Sequence, residues 1–275
     1  MKLSEAVFAL KSAGIEDARR EARIIFSHFA KIPISDLLVL DVDVHSAEVS
    51  AAIVRRAKRE PLQYIIGEVG FFNEVYKVSP ACLIPRSDTE ILVEYAVSHL
   101  KGGSRFLDIC TGSGCIAIST LRNSTDTTAV AIDLSQDALA IAKENAKRMN
   151  VKDRVEFLEC DALEENAVSN LGVFDAILSN PPYVSEREYK GLEPEIFYEP
   201  RMAFVGGDDG GEFYRALTPI YKKLLSDDGF IAFEIGYNSE PILRHVAEVN
   251  AMSLDIIRDL SGNVRVAVLK NKISI

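Results

Sequence analysis

Along the first sixty residues apolar side chains recur at helical spacing: Leu3, Val7 and Leu10 fall on one face, then Ala22, Ile25, Phe26 and Phe29 on another. The pattern predicts a small helical domain. A further helix is expected from Ser46, whose hydroxyl can cap the free amides of AEVSAAIVRRAKRE, with Pro61 ending it. A hairpin is expected across Val69 to Val78, with Asn73 and Glu74 at its turn. From Arg105 the period changes. Short apolar runs (RFLDI, TAVAID, RVEFLE, FDAILSN, GFIAFEIG) alternate with helical stretches (GCIAISTLRN, SQDALAIAKENAKRMN, GEFYRALTPIYKKLLSD), the signature of βαβ units on a parallel sheet. A helix from Ser239 to Val249 and the runs LDIIRD and VRVAVL close the chain. Only Ser261 to Asn263 separate those two runs, too few for a parallel crossover, so they should pair antiparallel. The predicted class is α/β: a doubly wound sheet ending in an antiparallel hairpin, preceded by a small helical domain.

Composition narrows the function classes. The chain has 275 residues and a formal net charge of −10, which excludes a disulfide-stapled miniature and opposes broad binding to a phosphate backbone. The surplus acid lies in the α/β part. Cys82, Cys110, Cys115 and Cys160 form no C-x-x-C pair, so reduced thiols are expected and no metal cage. The N-terminus lacks a long apolar stretch, and no run approaches the roughly 18 apolar residues of a membrane span. The expected address is cytoplasmic. Arg55, Arg56, Lys58 and Arg59 cluster at a helix end, where they can meet RNA or an acidic partner, or stand in solvent against the negative end of the helix dipole. The second reading is the simpler.

Candidate chemistry gathers at the ends of the predicted strands. RFLDI runs into CTGSGC, whose Gly112 and Gly114 stand where a strand turns sharply into a helix and a ligand can approach the backbone. Gly112 to Ala117 also satisfies the dinucleotide pattern G-x-G-x-x-A, so this loop alone leaves a nicotinamide cofactor open. Asp133 ends the second strand, where a carboxylate can accept both hydroxyl protons of a ribose. Asp108 at the end of the first strand would repel a pyrophosphate but suits a ligand carrying an ammonium and a sulfonium, which describes S-adenosyl-L-methionine. Asn180-Pro181-Pro182-Tyr183 then follows the fourth strand. Two prolines end the ladder and hold the chain stiffly at the sheet's carboxyl edge. There the Asn180 side-chain carbonyl and the Pro181 backbone carbonyl can accept hydrogens from a planar NH2 group, with Tyr183 packing on its face.

Leu107 to Gly114 and Asn180 to Tyr183 look like the cofactor and catalytic motifs of class I methyltransferases that modify planar nitrogen. With Pro61-Leu62-Gln63-Tyr64-Ile65, Leu83-Ile84-Pro85-Arg86, Asp88-Thr89-Glu90, Glu199-Pro200-Arg201, Gly206-Gly207-Asp208 and Phe233-Glu234-Ile235-Gly236, the chain resembles the HemK/PrmC family along nearly its whole length. That family methylates the side-chain amide nitrogen of the glutamine in the Gly-Gly-Gln motif of class I peptide chain release factors. The resemblance implies a helical substrate-recognition domain over 1–66, a hairpin linker over 67–84 and a methyltransferase domain over 85–275. It also implies that Cys110, Thr111, Gly112, Ser113 and Gly114 wrap the methionine part of S-adenosyl-L-methionine, and Asp108 is expected to bind that cofactor with them. Asp133 would hold the ribose and Asp161 with Ala162 would lie at the adenine. Asn180, Pro181, Pro182 and Tyr183 would hold the glutamine amide, Asn180 also bordering the cofactor. Ala162 departs from the family, where an aromatic residue often packs on adenine. No stable nucleic-acid binding, membrane association or metal is implied.

Other segments have structural readings. Ser87 and Glu90 have capping-box spacing ahead of the apolar ILVEYAV helix. Arg86 can serve the site or pair with an acid, and Glu234 can bind loop amides. The stretch SEREYKGLEPEIFYEP carries five Glu against one Arg and one Lys, and reads as a loop whose acid suits a basic protein surface or as an ordinary charged loop. The principal rival is an amino methyltransferase acting on adenine in DNA or RNA, which shares Asn-Pro-Pro-Tyr but would want a basic groove. A nicotinamide oxidoreductase leaves that motif without a task. A non-catalytic binding module would keep the fold and lose turnover.

Overall fold

Buried parallel strands must be apolar on both faces, and the central runs of this chain are. In a computed structural model, which describes residues 1–272, Leu107 and Ile109, Val130 and Ile132, and Ile177 point into one core. Phe106, Ala129, Ala131, Ala176 and Leu178 alternate with them into a second core on the opposite face. The residues divide into two units, Met1–Glu68 with Glu193–Tyr198, and Val69–Leu192 with Glu199 onward.

The first unit holds α1 (Leu3–Ser12), α2 (Ala18–Ala30), α3 (Ile34–Val39), α4 (Ala47–Ala57) and α5 (Leu62–Ile66). Leu3, Leu10, Ala22, Ile25 and Phe26 are buried in its core, as the periodicity predicts, and the Ser46 hydroxyl accepts from the Val49 amide to cap α4. Helix α4 ends at Ala57, before Pro61, and Arg59 takes a positive φ of 71°. The basic cluster is not a solvated helix end. Arg56 is 6% exposed and pairs with both Glu21 and Glu195, while Arg59 pairs with Glu193 and Glu195. Burying a guanidinium is tolerable only when it is paired and hydrogen-bonded. The acidic partner is therefore a segment of the same chain, far away in sequence.

The second unit opens with a hairpin of β1 (Glu68–Phe71) and β2 (Glu74–Lys77). Its turn is Phe72-Asn73, both at positive φ (47° and 63°), one residue earlier than the expected Asn73-Glu74. A two-residue turn with both φ positive matches the right-handed strand twist, and Glu74 is needed in the ladder. Next come α6 (Glu90–His99), β3 (Arg105–Ile109), α7 (Cys115–Asn123), β4 (Thr128–Asp133), α8 (Gln136–Arg148), β5 (Val155–Glu159), α9 (Glu165–Val168) and β6 (Phe174–Ser179). The chain continues through α10 (Glu186–Tyr189), α11 (Glu212–Lys222), β7 (Leu225–Glu234), α12 (Glu240–Val249), β8 (Met252–Arg258) and β9 (Val264–Asn271). The large sheet has the order β5-β4-β3-β6-β7-β9-β8. Its first five strands run parallel; β9 pairs antiparallel with both β7 and β8, as the short Ser261 to Asn263 link requires. Strand order reverses between β3 and β6, and open α/β sheets bind ligands outside the carboxyl ends at such a point.

The expected capping box ahead of α6 does not form. Ser87–Thr89 is a turn of 3₁₀ helix, and the Glu90 carboxylate instead accepts the Phe72 amide at 2.9 Å, tying α6 to the hairpin. A positive-φ turn exposes amides that need a distant acceptor, and Glu90 supplies one.

Candidate active site

Every strand end around the reversal contributes to one cleft. The loop after β3 begins with Cys110 at a φ of 59°, uncommon for a residue with a side chain, and continues through Gly112 and Gly114 at 56° and 81°. A Cβ on Gly114 would lie 2.8 Å from Ile118 Cδ1 and 3.1 Å from Ala142 Cβ, so glycine lets α7 start close against α8. A Cβ on Gly112 would meet nothing within 4 Å, because that glycine faces open space. Ser179 at the end of β6 donates to the Ile109 carbonyl at 2.7 Å, locking the two strand ends together.

The open space is a cleft of about 190 Å³. Cys110, Gly112, Asp133, Asp161, Ala162, Asn180 and Pro182 line it, so the sequence-predicted residues from β3, β4, β5 and β6 converge there. Thr111 and Ser113 line an adjoining recess that shares Cys110, Gly112 and Asn180 with the cleft. Tyr183 lines neither; it borders a separate hollow with Gly236 and Ser239. Asp108 also stands back from the cleft. It is fully buried, its Oδ2 accepts the Thr111 hydroxyl at 2.6 Å and the Ala117 amide at 3.2 Å, and its Oδ1 has no partner. It braces the glycine loop from behind. Asp133 accepts the Gly112 amide at 2.8 Å and the Ser135 amide at 2.9 Å, which pins its carboxylate at the rim.

Burial shifts both acids. It pushes Asp108 up to about 7, against the lowering effect of Thr111 and Ala117, and it raises Asp133 as well. Because the unfolded Asp108 titrates near its ordinary 3.8, the native state binds the extra proton. Its contribution to stability is therefore fully present below the unfolded value and lost as pH rises through the native one. Asp108→Asn is expected to flatten the fall in Tm between about pH 4 and pH 7, as read by thermal melts of ligand-free protein; an unchanged slope would contradict the assignment.

Asn180 presents a side-chain amide to the cleft. Its Nδ2 donates to the buried Thr89 hydroxyl at 3.3 Å, which leaves its side-chain oxygen for a donor in the cleft. Behind the motif, the Tyr183 hydroxyl donates to Glu234 Oε1 at 3.0 Å. Glu234 is thus engaged by the Tyr183 hydroxyl rather than by loop amides.

Several contributors were not read from sequence. Phe213 at the start of α11, Cys82 and Met202 also line the cleft, and nothing in their local pattern distinguishes them from core. Arg86 pairs with Glu199, a carboxylate only 4% exposed whose other oxygen accepts the Ile84 amide at 2.9 Å, so the segment before α6 is bound to the Glu199-Pro200-Arg201 stretch. The carboxylates of the acidic stretch are engaged within the chain: Glu186 pairs with Arg201, Glu188 forms a capping box with Ser185, and Glu193 and Glu195 pair with Arg59. Among the described residues no three His, Cys, Asp or Glu side chains gather as metal ligands, and no helix is long and apolar enough to cross a membrane.

Comparison with known proteins decides the family. Residues 2–67 match the PrmC N-terminal domain and residues 87–204 the methyltransferase small domain. A release factor glutamine methyltransferase of Thermodesulfovibrio yellowstonii is 38% identical over 93% of this chain and 94% of its own. The chain belongs to the release factor glutamine methyltransferase family. A second family member, from Nitratidesulfovibrio vulgaris, is 39% identical over 82% of this chain and 78% of its own. Membership makes the chain a methyltransferase. The fold agrees: the hMettl16 catalytic domain, solved with a 3′UTR hairpin, superposes with a TM-score of 0.56 at 14% identity over 84% of each chain.

Proposed function

We propose that this protein transfers a methyl group from S-adenosyl-L-methionine to the side-chain amide nitrogen (N5) of the glutamine in the Gly-Gly-Gln motif of class I peptide chain release factors, in the cytoplasm, and so modulates translation termination. S-adenosyl-L-homocysteine is the second product. The observation that carries the reading is Asn180, whose NH2 is spent on Thr89 while its oxygen remains for a planar NH2 group in the cleft.

The cleft fits the methyl donor on three counts: open space over Gly112, a rim carboxylate at Asp133, and the unpartnered Ser113 Oγ in the adjoining recess. In this reading Cys110 to Gly114 hold the methionine part, Asp133 the ribose hydroxyls, and Asp161 with Ala162 the adenine. Phe213 supplies the aromatic surface that Ala162 lacks. When bound, S-adenosyl-L-methionine supplies an electrophilic methyl carbon on a sulfonium.

The chain's own residues supply orientation. An amide nitrogen is a poor nucleophile because its lone pair is delocalised, so the geometry must aim that pair along the line of displacement. Accepting both N–H hydrogens at Asn180 Oδ1 and the Pro181 carbonyl polarises the amide and favours positive charge growing on nitrogen. A neutral amide does this without the desolvation cost of a buried carboxylate. Solvent takes the surplus proton after transfer, so no general base is needed.

The helical unit is the part assigned to recognition. It exposes Phe8 (74%) and Val39 (82%) beside a groove lined by Lys11, Arg19 and Arg23, a surface suited to a protein partner of mixed apolar and acidic character.

The test is methyl transfer from labelled S-adenosyl-L-methionine to a purified class I release factor, to its Gln-to-Ala version at Gly-Gly-Gln, and to duplex DNA and RNA. Label on the wild-type factor alone supports the reading. Label on nucleic acid moves the activity to adenine, and a labelled Gln-to-Ala factor refutes the site.

A further inference from the structure

The hairpin of β1 and β2 has only two strands, so each keeps an edge whose backbone groups need partners elsewhere. At Lys77 in β2 that partner is a side chain. Asn145 of α8, fully buried, accepts the Lys77 amide on Oδ1 at 2.8 Å and donates from Nδ2 to the Lys77 carbonyl at 3.0 Å, as a third strand would. Its other N–H goes to the Ser113 carbonyl of the glycine loop at 2.9 Å.

The donor count permits one arrangement. An asparagine amide has two N–H donors and one oxygen. Two carbonyls and one N–H face it here, so a flipped amide would set acceptor against acceptor and donor against donor. The Ser113 carbonyl is thereby fixed. The same peptide unit is held on its other side, where the Gly114 amide donates to the Thr111 carbonyl at 2.8 Å. A planar unit anchored at both its polar groups does not rotate, and Ser113 keeps its unpartnered Oγ at the recess beside the cleft.

Lys77 extends the effect. A few residues further on, Ala81, Cys82 and Leu83 line the cleft. One buried amide therefore joins the glycine loop to the strand that leads into another wall of the same cleft. The rest of the hairpin is strapped to α7: the Tyr76 hydroxyl lies 2.6 Å from the Ser119 hydroxyl, and Glu74 pairs with Arg122 at 2.6 Å. Neither Asn145 nor these strapping residues line the cleft.

We propose that Asn145 is a positioning residue for the methyl donor: its amide holds the glycine loop and the approach to the wall at 81–83 in one register, so the cleft is shaped before the donor arrives. This rests on the reading of the cleft as the seat of S-adenosyl-L-methionine, and it gives the hairpin, expected only as a linker, a task at the donor site.

Two measurements on the full chain test this. In donor titrations by calorimetry, Asn145→Ala and the isosteric Asn145→Asp, whose ionised side chain has no N–H for Ser113, are expected to raise the Kd of S-adenosyl-L-methionine about 10- to 100-fold, as lost supporting hydrogen bonds do elsewhere. In the transfer assay the donor KM rises with it, while kcat at saturating donor stays within about threefold of wild type. Ser119→Ala is the control. It removes an equally buried bond between the hairpin and α7, so it should lower Tm and leave the donor Kd within about threefold of wild type. A wild-type Kd in either Asn145 variant overturns the proposal, and so does an equal rise in Ser119→Ala, which would reduce Asn145 to packing. The second measurement is amide hydrogen exchange in ligand-free protein. Exchange at Gly114 is expected to quicken about tenfold or more in the Asn145 variants while the Leu107 amide of β3 keeps its rate. Unchanged exchange at Gly114 overturns the proposal. Should the wild type bind no S-adenosyl-L-methionine while Gly114 responds as stated, the donor reading fails and the hold of Asn145 on the loop stands.

Discussion

Asn180→Ala is expected to lower kcat by about 10²- to 10³-fold while the Kd of S-adenosyl-L-methionine changes by less than about threefold, the pattern of a lost transition-state hydrogen bond. The asymmetry follows from what Asn180 touches. Its NH2 donates to Thr89, its oxygen is the acceptor left over, and it is one of many groups lining a cleft to which the β3, β4 and β5 loops, Cys82, Met202 and Phe213 also contribute. Truncation removes the orienting acceptor and leaves the glycine loop and Asp133 intact. Single-turnover methyl transfer and donor titration by calorimetry measure the two quantities separately. Equal loss of both would show that Asn180 serves donor binding alone.

The second large effect belongs to a glycine that does not itself line the cleft. A Cβ on Gly206 would lie 2.3 Å from the Pro182 carbonyl oxygen and 2.9 Å from both the Pro182 carbonyl carbon and Tyr183 Cα. These are backbone atoms of the Asn180–Tyr183 motif and cannot swing aside. Gly206 also bridges the motif to α11: its amide donates to the Val184 carbonyl at 2.9 Å, and its carbonyl accepts the Glu212 amide at 3.1 Å. Gly206→Ala must therefore displace Pro182 and Tyr183 or break that bridge. A displacement near 1 Å at the reacting centre is expected to cost about 100-fold in kcat/KM. Overpacking adds roughly 1–3 kcal/mol of destabilisation, read by denaturant unfolding. Gly70→Ala is the matched control. That glycine is exposed, has no positive φ, and its Cβ would meet nothing within 4 Å, so activity and stability should stay at wild-type levels. A Gly206→Ala enzyme of normal activity would show that the motif has slack.

Features governed by neighbouring residues were legible in the sequence. The parallel strands read as continuous apolar runs because both faces are covered, the Ser46 cap follows from local spacing, and the three-residue link forces β8 and β9 antiparallel. Cys110, Gly112, Asp133, Asp161, Asn180 and Pro182 at the cleft were also legible, since strand ends announce themselves by glycines, acids and prolines, whereas Cys82, Met202 and Phe213 were not, and Asp108 and Tyr183 stand off the cleft. What escaped was long-range. Nothing near Arg56 says that its partner is Glu195, and nothing near Glu90 says that its carboxylate leaves its own helix for the Phe72 amide. Tyr183 illustrates the middle ground. Its motif is evident, but its hydroxyl points back to Glu234 on another strand, a relation set by the neighbouring of β6 and β7.

The pairing of Arg56 with Glu195 also bears on how the chain is made. The helical unit has most of its residues by Glu68, yet its buried guanidinium keeps only part of its charge partnership until Glu195 arrives. At a synthesis rate of about 5–20 residues per second, that interval is on the order of ten seconds. During it, Arg56 has only Glu21 as its carboxylate partner, and the first unit reaches its final form after most of the parallel sheet has left the ribosome. The N-terminal unit is thus closed by residues made after four of the five parallel strands and before β7, β8 and β9.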